Sequence, residues 1–183
     1  MNKRVNNALY KTTIVIGASK LKQVVWYLVN IFFFKNALNV SSGLKVFLLK
    51  MFGAKIGKGV VIKPAVNIKF PWKLQVGDHC WIGEQVWIDN LSDVRIGNSV
   101  TISQGALLLT GSHDHTSETF DFFSNAIILE DGVWIAARAI VFGKVTCKSH
   151  SILGMNSIAD KTMDEYTIYK GNPAVPVGKR NIG

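Results

Sequence analysis

The first 77 residues contain no aspartate or glutamate, although they carry thirteen of the 21 lysines and arginines. Residues 78–183 hold the other eight basic residues and all twelve acidic ones, so the formal charge of +9 belongs to the N-terminal part. Such asymmetry fits an anionic partner: a membrane surface, nucleic acid or an anionic substrate. The basic residues are scattered among apolar ones and form no nucleic-acid-binding module, so peripheral membrane contact is expected and nucleic acid is not. Cysteine is almost lacking. Cys80 and Cys147 are too few for a disulfide framework and have no metal-type spacing, which fits a reducing cytoplasm. No long apolar run occurs either. The longest, "VVWYLVNIFFF" at residues 24–34, is eleven residues with Asn30 inside it, short of the roughly 18–20 that span a bilayer. The N-terminus lacks the ordered sections of a secretory signal, so it is read as part of the mature protein. A phosphate-binding loop, a dinucleotide fingerprint and a Gly-x-Ser-x-Gly elbow are all missing, which removes support for nucleotide-driven chemistry and covalent-serine hydrolysis.

What is present is a period of six. Large aliphatic residues recur at Ile56, Ile62 and Ile68, then at Val76, Ile82 and Ile88, then at Ile96, Ile102 and Leu108. The series resumes at Leu129, Ile135 and Val141 and continues through Cys147, Leu153 and Ala159. Two residues before each stands a second inward candidate, from Ala54, Val60 and Val66 to Val145, Ser151 and Ser157. Side chains two apart on one face make a short strand, and Gly, Asn and Asp near the hexad ends supply turns. Three hexads form one triangular turn, so the pattern predicts an all-β solenoid, a parallel β-helix of about five turns over residues 54–168. Both cysteines fall on inward positions and read as small core residues. His79 and His150 flank inward positions and are expected at corners, without chemistry.

Residues 1–53 form a basic segment with two helical pieces, the second following a serine cap and ending at Gly53. They are expected to cap the open end of the solenoid. Residues 169–183 are expected to be a C-terminal tail.

The coil is interrupted once, between Leu108 and Leu129, by a protruding loop at residues 109–126 containing "TGSHDH". With "FGAKIGKGVVIKPAVNIKFPWKLQVGD", "LEDGVWIAARAIV" and "YKGNPAVPVGKR", this segment resembles the hexapeptide-repeat acyltransferases, and within them the colanic-acid and exopolysaccharide acetyltransferase group. The resemblance implies a left-handed coil, a homotrimer and acetyl-CoA as co-substrate. The implied reaction is O-acetylation of a sugar or lipid-linked glycan in exopolysaccharide or capsule assembly. A sugar hydroxyl is a poor nucleophile near neutral pH and needs a base, a task that suits histidine. His113 and His115 are the candidates, and the resemblance favours His113. Asp114, Glu118 and Asp121 are candidates to orient or screen an imidazole, and the sequence does not choose among them. The resemblance assigns the oxyanion donor to the backbone amide of Ala137. It assigns coenzyme A contacts to Lys161, Asn172, Pro173, Lys179 and Arg180. Asp89, Asn90 and Asp114 are candidates for acceptor contact, although core or corner packing is the favoured reading for Asp89 and Asn90. Two rival readings are a non-catalytic trimeric scaffold and a zinc enzyme of the γ-carbonic-anhydrase type. The second needs three convergent histidines, which the spacing does not provide, so no metal is expected.

Overall fold

The structure, a computed structural model, describes residues 4–12 and 14–183. Three parallel sheets make the walls of a triangular solenoid. The first stacks Lys55–Ile56, Leu74–Val76, Val94–Ile96, Ile127–Leu129 and Thr146–Cys147; the third stacks Asn67–Ile68, Trp87–Asp89, Leu107–Leu109, Ile140–Phe142 and Ile158–Ala159. The second runs from Val61–Ile62 through Trp81–Ile82, Thr101–Ile102, Trp134–Ile135 and Ile152–Leu153 to a terminal pair, Thr167–Gly171 and Ala174–Lys179. Every position of both inward series is buried, from Ala54 and Ile56 to Ser157 and Ala159. Five coils are complete, and a sixth is opened by Met163, which bridges to Cys147, and by Thr167–Gly171. The turn count is therefore about six.

Two corners explain the periodicity in hydrogen-bond terms. At the corner after the first sheet, His79, Ser99, Gly132 and His150 donate their amides to the carbonyls of Lys58, Asp78, Asn98 and Asp131 one coil back. At the corner after the second sheet, Gln85, Gly105, Arg138 and Asn156 donate to Pro64, Glu84, Gln104 and Ala137. His79 and His150 occupy the left-handed region (φ 56° and 59°), as the corner requires. Both cysteines are buried. Burial pushes the Cys147 thiol up to about 12, so it does not serve as a thiolate nucleophile near neutral pH.

Helix α1 (Lys20–Val29), continued by a π-turn at Asn30–Phe34, and helix α2 (Ser42–Met51) close the first coil. Ser19 and Ser41 cap their N-termini, and Gly53 (φ +97°) follows the second. An open coil leaves backbone groups without a neighbour, and the cap supplies side chains to them. Trp26 Nε1 donates to the Ile68 carbonyl at 2.9 Å, Ser42 Oγ accepts from Ile62 N at 2.8 Å, and the Lys45 ammonium lies 3.5 Å from the Ile62 carbonyl. Lys45 is completely buried and also donates to the Asn39 carbonyl at 2.6 Å; burial, with the Lys63 charge nearby, pushes its pKa down. Trp26 packs edge-on against Phe34 and at a tilt against Phe52, with ring centroids 5.1 Å apart in both cases. Removing this buried indole in Trp26→Ala is expected to cost about 3–5 kcal/mol, read by urea unfolding. A cost near zero would mean that the cap and the coil are not packed as one unit.

One more sequence expectation changes, at the C-terminus. Residues 169–179 are not a tail: they belong to an antiparallel hairpin that extends the second sheet. The interruption is likewise a hairpin, pairing Gly111–His113 with Phe122–Ser124. A segment upstream of α1 also proves to be part of the architecture. Asn6 N donates to the Glu118 carbonyl, Lys11 N to Asp121 Oδ1, and Thr12 bridges to Phe122, so residues 6–12 form a strap across the hairpin.

Candidate active site

The hairpin leaves the coil directly after Leu109, where the Thr110 hydroxyl donates to the Asp89 carbonyl at 2.8 Å. Gly111 follows because the chain has no room for a side chain there: a Cβ would collide with the Phe122 ring and press on Leu91. His113 ends the first hairpin strand opposite Phe122. Its ring stacks on Phe120 (centroids 4.4 Å, planes 8° apart) and meets Phe122 edge-on at 5.0 Å. Tyr10, from the strap, lies 5.9 Å away by centroid.

The Phe120 carbonyl is 3.0 Å from His113 Nδ1. A carbonyl only accepts, so Nδ1 carries the hydrogen and Nε2 of the neutral ring keeps its lone pair. That tautomer is the one a general base needs, and the aromatic walls fix the ring plane. The group holding Nδ1 is therefore a backbone carbonyl, where a carboxylate was the expectation from sequence. Asp114 instead accepts from the Thr116 hydroxyl at 2.6 Å and the Thr116 amide at 3.0 Å, which lowers its pKa. Asp121 accepts from the Lys11 amide. His115 is exposed beside Asp114.

Ala137 sits at the corner after the second sheet, where its carbonyl accepts from Asn156 N at 3.1 Å. Its own N–H donates no hydrogen bond among the described residues. The equivalent corner position one coil after another holds Pro64, Glu84, Gln104 and then Ala137, and Pro64 has no N–H at all. The solenoid ladder thus never uses this donor. Asn172 and Pro173, joined by a cis peptide bond, form the turn after Thr167–Gly171 at the same corner, two coils beyond. Ala137, Asn172 and Pro173 are brought to one edge of the molecule.

The basic candidates are not brought together with them. Lys179 Nζ donates to Thr167 Oγ1 at 2.7 Å, and the Arg180 guanidinium to the carbonyls of Gly132 (2.8 Å) and His150 (3.2 Å), at the corner after the first sheet. Lys161 is exposed just past the third sheet. His113 lies at this third corner, separated from Ala137 in the same chain by the width of the third sheet.

Asn90 is completely buried, with its amide donating to the Phe70 carbonyl (2.6 Å) and its oxygen accepting from Phe70 N (2.9 Å). It acts as a corner clamp. Asp89 differs: largely buried, it pairs with Lys69 at 2.9 Å and lines a groove of about 430 Å³ beneath α1, with Tyr27, Phe70 and Trp87 among its walls. The sequence reading missed Phe120 as the holder of His113, the strap, and the part of α1 in this groove. The aromatic pair Phe120 and Phe122 inside an otherwise polar interruption was the available signal.

Among the described residues no three His, Cys, Asp or Glu side chains are grouped to hold a metal ion. No protein-family model matches the chain. WcaF of Escherichia coli (strain K12), whose name assigns it to colanic acid biosynthesis as an acetyltransferase, is 37% identical over 164 residues, covering 90% of each chain. A galactoside O-acetyltransferase of the same strain is 24% identical over 129 residues, covering 69% of this chain and 64% of its own. Among solved structures, the hexapeptide-repeat acetyltransferase VCA0836 of Vibrio cholerae, complexed with acetyl coenzyme A, superposes with a TM-score of 0.80 at 19% identity, covering 91% of this chain and 92% of its own. The six-residue core period, the histidine hairpin and this similarity to WcaF lead to one conclusion: the chain belongs to the hexapeptide-repeat acetyltransferases, in the colanic-acid group.

Proposed function

We propose that the protein transfers the acetyl group of acetyl-CoA to a hydroxyl of a sugar in exopolysaccharide or capsule assembly, with His113 as general base. The observation that carries this reading is the His113 tautomer, held by the Phe120 carbonyl with Nε2 left to accept a proton. In the reaction, the acceptor oxygen attacks the thioester carbon as Nε2 takes its proton. The Ala137 amide stabilises the tetrahedral oxyanion, which then collapses to the ester; the coenzyme A thiolate leaves and takes up the proton from His113. Direct transfer from the thioester to the acceptor needs no covalent enzyme intermediate, which agrees with two buried cysteines.

His113 and Ala137 stand at different corners of one chain, so a joint site takes the hairpin from one subunit and the Ala137 corner from the next. A homotrimer meets that need. The outward side chains of the third sheet, Trp87, Leu107, Ile140 and Ile158 in register, offer an apolar wall for such a contact. Asp89, in the groove, also accepts through its carbonyl from Thr110 at the base of the hairpin, and the aromatic lining of the groove suits a sugar ring, with the carboxylate as hydroxyl acceptor. The names of the sugar-acetylating relative and of the colanic-acid relative support this acceptor class.

The test is release of coenzyme A thiol on addition of sugars or lipid-linked glycans to protein saturated with acetyl-CoA. Saturable coenzyme A binding near one site per subunit, by calorimetry, and acceptor-dependent thiol release are expected. Failure of a folded trimer to bind coenzyme A would return the protein to the scaffold reading.

A further inference from the structure

The side of the helical cap turned away from the solenoid is apolar. Leu21, Val25, Leu28 and Phe32 follow one another at helical spacing along α1 and its π-turn, and all are exposed, Leu21 at 75% and Phe32 at 63%. On α2, Phe47 (59%) and Met51 (64%) form a second short stripe opposite the buried Lys45 and Leu49. A helix that is apolar on both faces has a partner for each. Trp26 and Phe34 meet the coil on one face, and nothing among the described residues covers the other.

The charge pattern selects the partner. Lys20, Lys35 and Lys50 are exposed around these stripes, and no acidic residue occurs before Asp78. Apolar side chains flanked by lysines on helices that carry no acidic residue are suited to a lipid surface of negative charge, with the aliphatic side chains entering the acyl boundary and the ammonium groups remaining at the headgroups. No helix among the described residues is long and apolar enough to cross a membrane, so the helices lie in the interface plane.

We propose that the outward face of α1, its π-turn and α2 docks the enzyme on an anionic bilayer surface. Val24 and Tyr27, which neighbour the α1 stripe, line the groove that contains Asp89. Docking therefore brings the mouth of that groove to the lipid headgroups, where an acceptor carried on a lipid would present its sugar. The surface binding itself does not rest on the acetyl-transfer reading.

Co-sedimentation of the full-length protein with vesicles tests it. Binding is expected to phosphatidylcholine vesicles containing phosphatidylglycerol, weakly or not at all to phosphatidylcholine alone, and to fall as salt rises. The triple variant Leu21→Gln/Leu28→Gln/Phe32→Gln should lose partitioning by about tenfold or more, with coenzyme A binding, assembly mass and thermal unfolding retained. Phe47→Gln/Met51→Gln should give a smaller loss, and Lys20→Gln/Lys50→Gln should reduce the salt dependence. Wild-type protein that ignores anionic vesicles overturns the proposal. A triple variant that dissociates into subunits does so too, because the stripe would then be a subunit interface. Either result leaves the acetyl-transfer assay free to succeed or fail by itself.

Discussion

Replacing His113 with alanine is expected to lower kcat by about 100- to 10,000-fold, with coenzyme A binding unchanged in calorimetry. The substitution removes the proton acceptor together with its stacking on Phe120 and its bond to the Phe120 carbonyl, but leaves the hairpin in place. His113 ends a hairpin strand whose pairing is made by backbone, and the strap bonds Glu118, Asp121 and Phe122 rather than the imidazole. His113→Asn leaves an amide that hydrogen-bonds but takes no proton in this range, so it should fall with alanine. His115→Ala should retain nearly the wild-type rate, because that ring stands outside the aromatic walls that fix His113. If His115→Ala loses the rate and His113→Ala retains it, the base assignment is wrong.

Ala137→Pro is expected to lower kcat by about 100- to 1,000-fold at nearly unchanged stability. Proline is the natural test here because it deletes the N–H while keeping the carbonyl that Asn156 uses. The fold has already shown that it accepts the residue: Pro64 occupies the same corner position in the first coil, with the same carbonyl-to-amide bond, to Gln85. A stable Ala137→Pro protein with full activity would remove the amide from the mechanism. Mixed trimers of His113→Ala and Ala137→Pro subunits should recover activity, since some interfaces then pair an intact hairpin with an intact corner. Recovery on mixing separates a shared site from a site within one chain.

How much could be read from the residues alone varied with distance along the chain. Ile102 and Leu108 announce the core because each repeats a spacing that its neighbours share, and burial confirms every member of the two series. The interruption was legible for the same reason, as a break in phase, and so was the serine cap of the second helix, Ser41, which acts on an amide three residues away. Asn90 was the harder case. A polar residue at the end of a strand is open to reading as a ligand or as a clamp; the sequence favoured the clamp, and the two bonds to Phe70, twenty residues earlier, show it. Lys179 and Arg180 read as free cations near the C-terminus, yet both make hydrogen bonds to other parts of the coil. The strap left no trace because residues 6–12 meet the hairpin mainly through backbone atoms, which every residue possesses.

The order of residues by itself determined the solenoid, its core and the place where the histidines leave it. Inward side chains repeating at six can all be buried together only when each coil rests on the next, so the period dictates the architecture. The tertiary structure alone decided which nitrogen of His113 is free, which side chains bond the open edge of the first coil, and that His113 and Ala137 lie at different corners. Those outcomes depend on single hydrogen bonds and packing contacts between segments far apart in the chain, and such contacts impose no period on the sequence.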